Sequence, residues 1–211
     1  MAGRITYLSE TDKAAIYEAA LEIMETVGQR VHHAEALALL RAAGCTVTDT
    51  DLVCIPRELV EQARATAPNM IEVYDRRGEP AMSLGGYNAY FGNGSAVTSV
   101  YDVDTGEHRP TVLSDGVDAV RLCDALPMID FVMAYAHPGG VDPHIALLES
   151  FRAMVANTTK PLVVTSENAG DLEVMWRIAG ELRGGAEELR AKPYFTLYGD
   201  CLLYTSPSPR D

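Results

Sequence analysis

Tyr90-Phe91-Gly92-Asn93-Gly94-Ser95 is the stretch on which the reading of the fold turns. An aromatic pair reads as the end of a strand, and an asparagine between two glycines reads as its polar tip. Downstream, the pattern passes three times through a helix to a fresh apolar strand. Ser114 is placed as the cap of the first helix, with Val117, Val120 and Leu122 or Cys123 inward and Pro127 as its stop, before the apolar run 129–136. A loop over 137–143 leads to a second helix, 144–157, carrying Leu147, Leu148, Phe151 and Val155, and Pro161 introduces a strand over 162–165. Asn168 starts a third helix that runs to Leu189 with a break at Gly184-Gly185, and Pro193 opens the strand 194–198. Strands apolar on both faces and separated by helices imply a parallel sheet with helical cover. Counting 89–91 there are four, which predicts an α/β fold: the N-terminal part of a (β/α)8 TIM-type barrel, since a whole one needs eight strands and typically about 250 residues. The rival is an open doubly wound sheet, but Gly92-Asn93-Gly94 leads into the strand-like run 97–103, where a dinucleotide fingerprint would open a helix.

Upstream the pattern is helical. Ser9 is an N-cap with Asp12 three residues on, Ile16, Ala20, Ile23 and Val27 form one stripe expected to face inward, and Gly28 ends the helix. A second helix is expected over 33–43 with Leu37 and Leu40 inward and Gly44 as C-terminal cap; a third opens at Pro56 and closes near Pro68. Short strands at 71–74, 81–84, 89–91 and 97–103, with turns at Arg77-Gly78 and Asp104-Thr105-Gly106, make a small β-rich cap. The expected organisation is therefore a helical segment over 1–70, a β-rich cap with the first barrel strand over 71–110, a partial barrel over 111–200, and a tail over 201–211. That tail, from Cys201 on, breaks the helix–strand rhythm and is read as an artefact of the recorded sequence.

Composition narrows the function. The 211 residues are 47% hydrophobic and 22% charged, which describes an ordinary globular chain. A net charge of −13 without a basic cluster argues against nucleic acid as partner. No apolar run approaches the roughly 20 residues of a membrane span and residues 1–12 are too polar for a secretory signal, so a cytoplasmic protein is expected, with no membrane partner. Cys45, Cys54, Cys123 and Cys201 lie far apart without a CxxC pair, and His32, His33, His108, His137 and His144 have no ligand spacing, so no protein metal site is expected.

Several segments together resemble one family. They are Val27-Gly28-Gln29-Arg30-Val31-His32-His33 with Glu35-Ala36-Leu37, Ala42-Ala43-Gly44, Ile55-Pro56-Arg57-Glu58-Leu59-Val60, Phe91-Gly92-Asn93-Gly94-Ser95, Asp104-Thr105-Gly106-Glu107 with Arg109-Pro110, and Asn157-Thr158-Thr159-Lys160-Pro161. In order and spacing, from about Leu8 to Tyr198, they are similar to the trimethylamine methyltransferase family. The resemblance implies a (β/α)8 barrel enzyme that moves a methyl group from a methylated amine, such as trimethylamine or a betaine, to the cobalt of a corrinoid (cobalamin) held by a separate protein and not bound directly. It also implies that this chain is a fragment, inactive alone. The alternative is a non-catalytic methylated-amine binding module or partial domain. One subgroup of the family carries pyrrolysine in the part of the barrel not represented here, so the amine is left open.

In such barrels the site lies at the C-terminal ends of the strands. That position nominates Asn93 after the first strand, Tyr135 and His137 after the second, Thr165, Ser166, Glu167 and Asn168 after the third, and Tyr198 after the fourth as substrate-binding residues. Tyrosine faces attract alkylammonium groups, and Glu167 would add Coulomb attraction. Each has a plainer role open to it: Tyr90 and Tyr135 as amphipathic core residues, Asn93 as a tolerant turn residue, Glu167 as a first-turn helix acid. Asp102 and Asp104 lack calcium-loop spacing and read as a hairpin turn. The last strand would leave an exposed edge, so the isolated chain is expected to form homo-oligomers or insoluble material.

Overall fold

A computed structural model describes residues 6–95, 97–135, 138–166 and 168–198, in two compact units, Met1–Pro68 and Asn69–Asp211. The tail 201–211 lies outside the described residues.

In the first unit, helix α1 (Glu10–Glu22) begins with a reciprocal capping box: Asp12 N–H donates to Ser9 Oγ at 3.1 Å, and Ser9 N–H donates to the Asp12 carboxylate at 2.9 Å. One wide turn, Ile23–Val27, carries it to Gly28, whose φ of +68° only glycine adopts without strain. The buried face of α1 is not the expected one. Leu21 is 1% exposed, whereas Ile16, Ile23 and Val27 are 58%, 56% and 62% exposed. Polar contacts lie along the observed face: Tyr17 donates to Glu61 at 2.8 Å, Arg57 donates to Glu18 at 2.6 Å, and the Arg64 guanidinium lies over the Tyr17 ring. All three partners sit on α3 (Arg57–Thr66), which follows Pro56 as expected. Helix α2 (Ala34–Ala42) buries Leu37 against Cys45 and Val53. Three strands that periodicity did not announce, β1 (Gln29–Arg30), β2 (Thr46–Val47) and β3 (Leu52–Cys54), pair antiparallel in the order β1-β3-β2.

The second unit opens with an antiparallel hairpin of β4 (Ile71–Tyr74) and β5 (Pro80–Leu84), which buries Val73 and Met82. Another hairpin, β6 (Ser99–Tyr101) with β7 (His108–Pro110), turns through Asp102, whose carboxylate accepts from the N–H groups of Asp104 and Thr105. Then come α4 (Leu113–Ala125), β8 (Val132–Met133), α5 (Ala146–Asn157), β9 (Leu162–Val164), α6 (Ala169–Arg183), α7 (Ala186–Ala191) and β10 (Phe195–Leu197). Ser114 is not the cap of α4. The Asp115 carboxylate reaches back instead to accept from Val112 N–H at 2.8 Å. The break at Gly184-Gly185 falls as expected, because both residues have positive φ and separate α6 from α7.

Strands β8, β9 and β10 are parallel and adjacent in chain order, with Val132 opposite Leu162 and Leu162 opposite Phe195. A parallel bridge from Gly92 to Phe131 adds a fourth segment on the β8 side. The expected strand over 89–91 is thus one bridge at Gly92, with Phe91 C=O accepting from Asp130 N–H at 2.6 Å. Helices α4 to α7 cover one face, where Val120, Val132, Phe151, Met154, Leu162, Val164, Met175, Leu189 and Tyr194 form the main core. Burial pushes the Tyr194 phenol up to about 12.

The N-terminal ends of these strands are plugged by the turn between β4 and β5. Tyr74 N–H donates to Pro193 C=O at 2.9 Å and Arg76 N–H to Thr159 C=O at 2.8 Å, while Lys192 Nζ donates to Gly78 C=O at 3.1 Å. Asp75 stiffens this turn by accepting from Arg77 and Glu79 N–H groups at 2.8 and 3.0 Å. Asn157 to Pro161 form a joint at the same end: Thr158 donates to Asp124, and Lys160 Nζ donates to the C=O groups of Cys123 and Leu126 at 2.7 and 2.8 Å, closing the C-terminus of α4.

Candidate functional site at the C-terminal strand ends

The register sets out the site. Met133, Val163 and Thr196 lie opposite one another, on the sheet face away from the buried Val132, Leu162 and Val164. Two residues beyond this row in sequence stand Tyr135, Thr165 and Tyr198, and Tyr198 N–H still donates to Val164 C=O at 2.7 Å. Adjacent strands are about 4.8 Å apart, so a continued register would separate positions 135 and 198 by roughly 10 Å across position 165. Tyr135 and Thr165 are half-buried and Tyr198 is 52% exposed. Tyr135 also borders a small apolar cavity of about 10 Å³ with Val120, Ala153 and Met154.

The other nominees are placed less openly. Asn93 is half-buried, and its carboxamide is engaged with main chain: Nδ2 donates to Met133 C=O at 2.9 Å and to Gly94 C=O at 2.8 Å, and Oδ1 accepts from Met133 N–H at 2.8 Å. Ser166 donates to Asn168 C=O at 2.7 Å. Asn168 caps α6, accepting from Asp171 N–H at 2.9 Å and donating to the Asp171 carboxylate at 2.8 Å. His137 and Glu167 lie outside the described residues.

Three further features were not among the residues nominated from sequence. Met133, Val163 and Thr196 form the row beneath the tyrosines, and only strand register could have revealed them. Asp130 accepts from Phe91 N–H at 2.8 Å and ties the first segment to the second. Arg109 grips Asp115 with two bonds, 2.8 and 2.9 Å, and donates to Asp102 at 3.0 Å, fastening the β6–β7 hairpin to the start of α4. The guanidinium bonds hold the Asp115 carboxyl below its usual range; Asp102 is held low first by Thr105 N–H and then by Arg109. The hairpin thus rises beside the strand ends, where Val97 N–H donates to Tyr135 C=O at 2.9 Å and Gly139 N–H to Thr111 C=O at 2.8 Å.

Among the described residues no three His, Cys, Asp or Glu side chains gather in a set that could hold a metal ion, and no helix is long and apolar enough to cross a membrane. A wide groove of about 490 Å³ lies elsewhere, on the outer face, between Leu172 and Trp176 of α6 and Phe195 and Leu197 of β10.

These features define an α/β protein whose parallel sheet is closed at its N-terminal end by a hairpin and displays side chains at its C-terminal end. The chain belongs to the trimethylamine methyltransferase (MTTB) family, whose model matches residues 2–207. It is similar to trimethylamine methyltransferase MttB of Desulfitobacterium hafniense, 29% identical over 189 residues, which cover 89% of this chain and 38% of that protein. MttB of Methanosarcina thermophila is 29% identical over 207 residues, covering 92% of this chain and 41% of the relative; for MttB of Methanosarcina barkeri the figures are 29%, 92% and 40%. The chain spans about two fifths of the length of these curated relatives.

Proposed function

We propose that this chain is the N-terminal portion of a methyltransferase that takes a methyl group from a methylated amine, and that its four parallel segments are the first strands of a (β/α)8 barrel. The observation that carries the reading is family membership along nearly the whole chain. The sheet supports it: strands follow one another in parallel and in chain order, and the hairpin plug leaves the C-terminal ends for chemistry.

The substrate is a methylated ammonium cation, held between Tyr135 and Tyr198 over Thr165. A cation midway between positions about 10 Å apart lies within the roughly 6 Å at which a ring face attracts it, with about 0.5–2 kcal/mol from each ring. Ser166, His137 and Glu167 complete the rim in this reading, Glu167 supplying negative charge. Asn93 belongs to the same wall. The methyl acceptor is a corrinoid carried by a separate protein and supplies the nucleophilic cobalt. The chain's own residues then have two tasks: to orient one methyl group outward, and to exclude water from the C–N bond. The electron pair of that bond returns to nitrogen, so the ammonium leaves as a neutral amine one methyl group poorer. The strand-end residues fit this division, since they offer ring faces and hydroxyls and need no metal ligand.

The test is methyl transfer by the full-length protein. Trimethylamine and glycine betaine are each offered with cob(I)alamin, and methylcobalamin formation is followed by absorbance. Formation with either amine is expected; none with any methylated amine overturns the reading.

A further inference from the structure

The geometry points to Asn93 as a positioning residue, one that acts on the methylated amine through Tyr135 without touching it. This rests on the proposed amine site. The main-chain ladder between the first and second segments has its last rung at Gly92 and Phe131. Beyond that rung the chain leaves the sheet for the β6–β7 hairpin, and the Asn93 side chain takes over the pairing. Its carboxamide satisfies both the N–H and the C=O of Met133, at 2.8 and 2.9 Å, as a neighbouring strand would. Four residues on, Val97 N–H donates to Tyr135 C=O at 2.9 Å. Asn93 and Val97 are therefore fastened to Met133 and Tyr135, the one by its side chain and the other by main chain.

Tyr135 stands two residues beyond Met133, so its place depends on both fastenings. Without the carboxamide, the half-buried N–H and C=O of Met133 lose their partners on that side and the main chain leading to Tyr135 is held only at its far end. Gly92 and Gly94 on either side contribute no side chain that could substitute.

The experiment is a double-mutant cycle on the full-length protein, with tetramethylammonium as the probe and calorimetric titration as the readout. Asn93→Ala and Tyr135→Ala are each expected to weaken binding about 2- to 30-fold, the range one ring face supplies. The double variant is expected to bind no more weakly than Tyr135→Ala alone, because the effect of Asn93 passes through the tyrosine. Unchanged binding by Asn93→Ala overturns the proposal, as does a double variant whose loss is the product of the two single losses, since that is a residue acting independently. If Asn93→Ala does not fold, Asn93→Asp is measured in its place. It keeps the acceptor for Met133 N–H and loses the donor to its C=O, with weaker binding expected in the native background and no effect beside Tyr135→Ala. Wild-type protein that ignores tetramethylammonium is a separate result, and sinks the amine site itself.

Discussion

Replacing Gly92 by alanine tests the closest approach at the candidate site. A Cβ at this position would stand 2.5 Å from Cζ and 2.6 Å from Cδ2 of Phe131, against an ordinary carbon contact of about 3.5–4.0 Å. The ring must therefore retreat by about 1 Å, or the bridge between Gly92 and Phe131 must open. Backbone conformation is not the obstacle, since Gly92 is not among the glycines of positive φ. Overpacking of this kind costs about 1–3 kcal/mol. For a unit of this size that corresponds to a fall in melting temperature of roughly 3–10 °C. The assay is thermal unfolding of Gly92→Ala, Phe131→Ala and the double variant, followed by circular dichroism. If the ring is the obstacle, the double variant melts close to Phe131→Ala alone, because no ring remains to be displaced. A Gly92→Ala protein that melts with wild type, or losses that add across the pair, would refute the reasoning.

Two further outcomes follow from the same geometry. Asp115 has a folded-state value below the ordinary 3.8 because of Arg109, so its contribution to stability is complete above the ordinary carboxylate range and is lost as pH falls through the depressed value. Between pH 7 and pH 3 wild type should then lose more stability to denaturant than Asp115→Asn, and equal losses would contradict the clamp. The outer edge of β10 pairs with no strand among the described residues, and Leu197 beside it is 46% exposed, so the 211-residue chain is expected to self-associate and Leu197→Lys to raise its monomer fraction. A monodisperse monomer from the unaltered chain would count against the open edge.

What sequence could show here depended on whether the deciding physics was local. Ser9 with Asp12, Asn168 with Asp171, and the Gly184-Gly185 break are interactions within three or four residues, and each stands where the pattern placed it. The apolar runs 129–136, 162–165 and 194–198 likewise announced the parallel strands around Val132, Leu162 and Phe195, since they lack polar alternation. The face of α1 was not legible: Ile16, Ile23 and Val27 make a good stripe, but the helix turns Leu21 inward and meets α3 through Tyr17 and Glu18, partners far away in sequence. Ser114 and Asp115 both suit a helix start, and only the presence of Arg109 favours the carboxylate. Strands of two or three residues, as in β1 to β3, are too short to show a period.

The segments that carry the family resemblance prove to be mostly joints. Lys160 closes α4, Arg109 clamps a hairpin, and Asn93 splices two strands. Their side chains hold main chain or carboxylates at fixed points, which makes them readable as motifs while saying little about substrate. The row of Met133, Val163 and Thr196 under Tyr135, Thr165 and Tyr198 has the opposite character: it exists only through register between strands some thirty residues apart.

The most direct measurement is a crystal structure of the full-length protein with tetramethylammonium bound. The account predicts the cation at the C-terminal strand ends, within about 6 Å of the ring centres of Tyr135 and Tyr198. A cation found in the groove beside Trp176, at the N-terminal plug, or anywhere else away from the strand ends would contradict it.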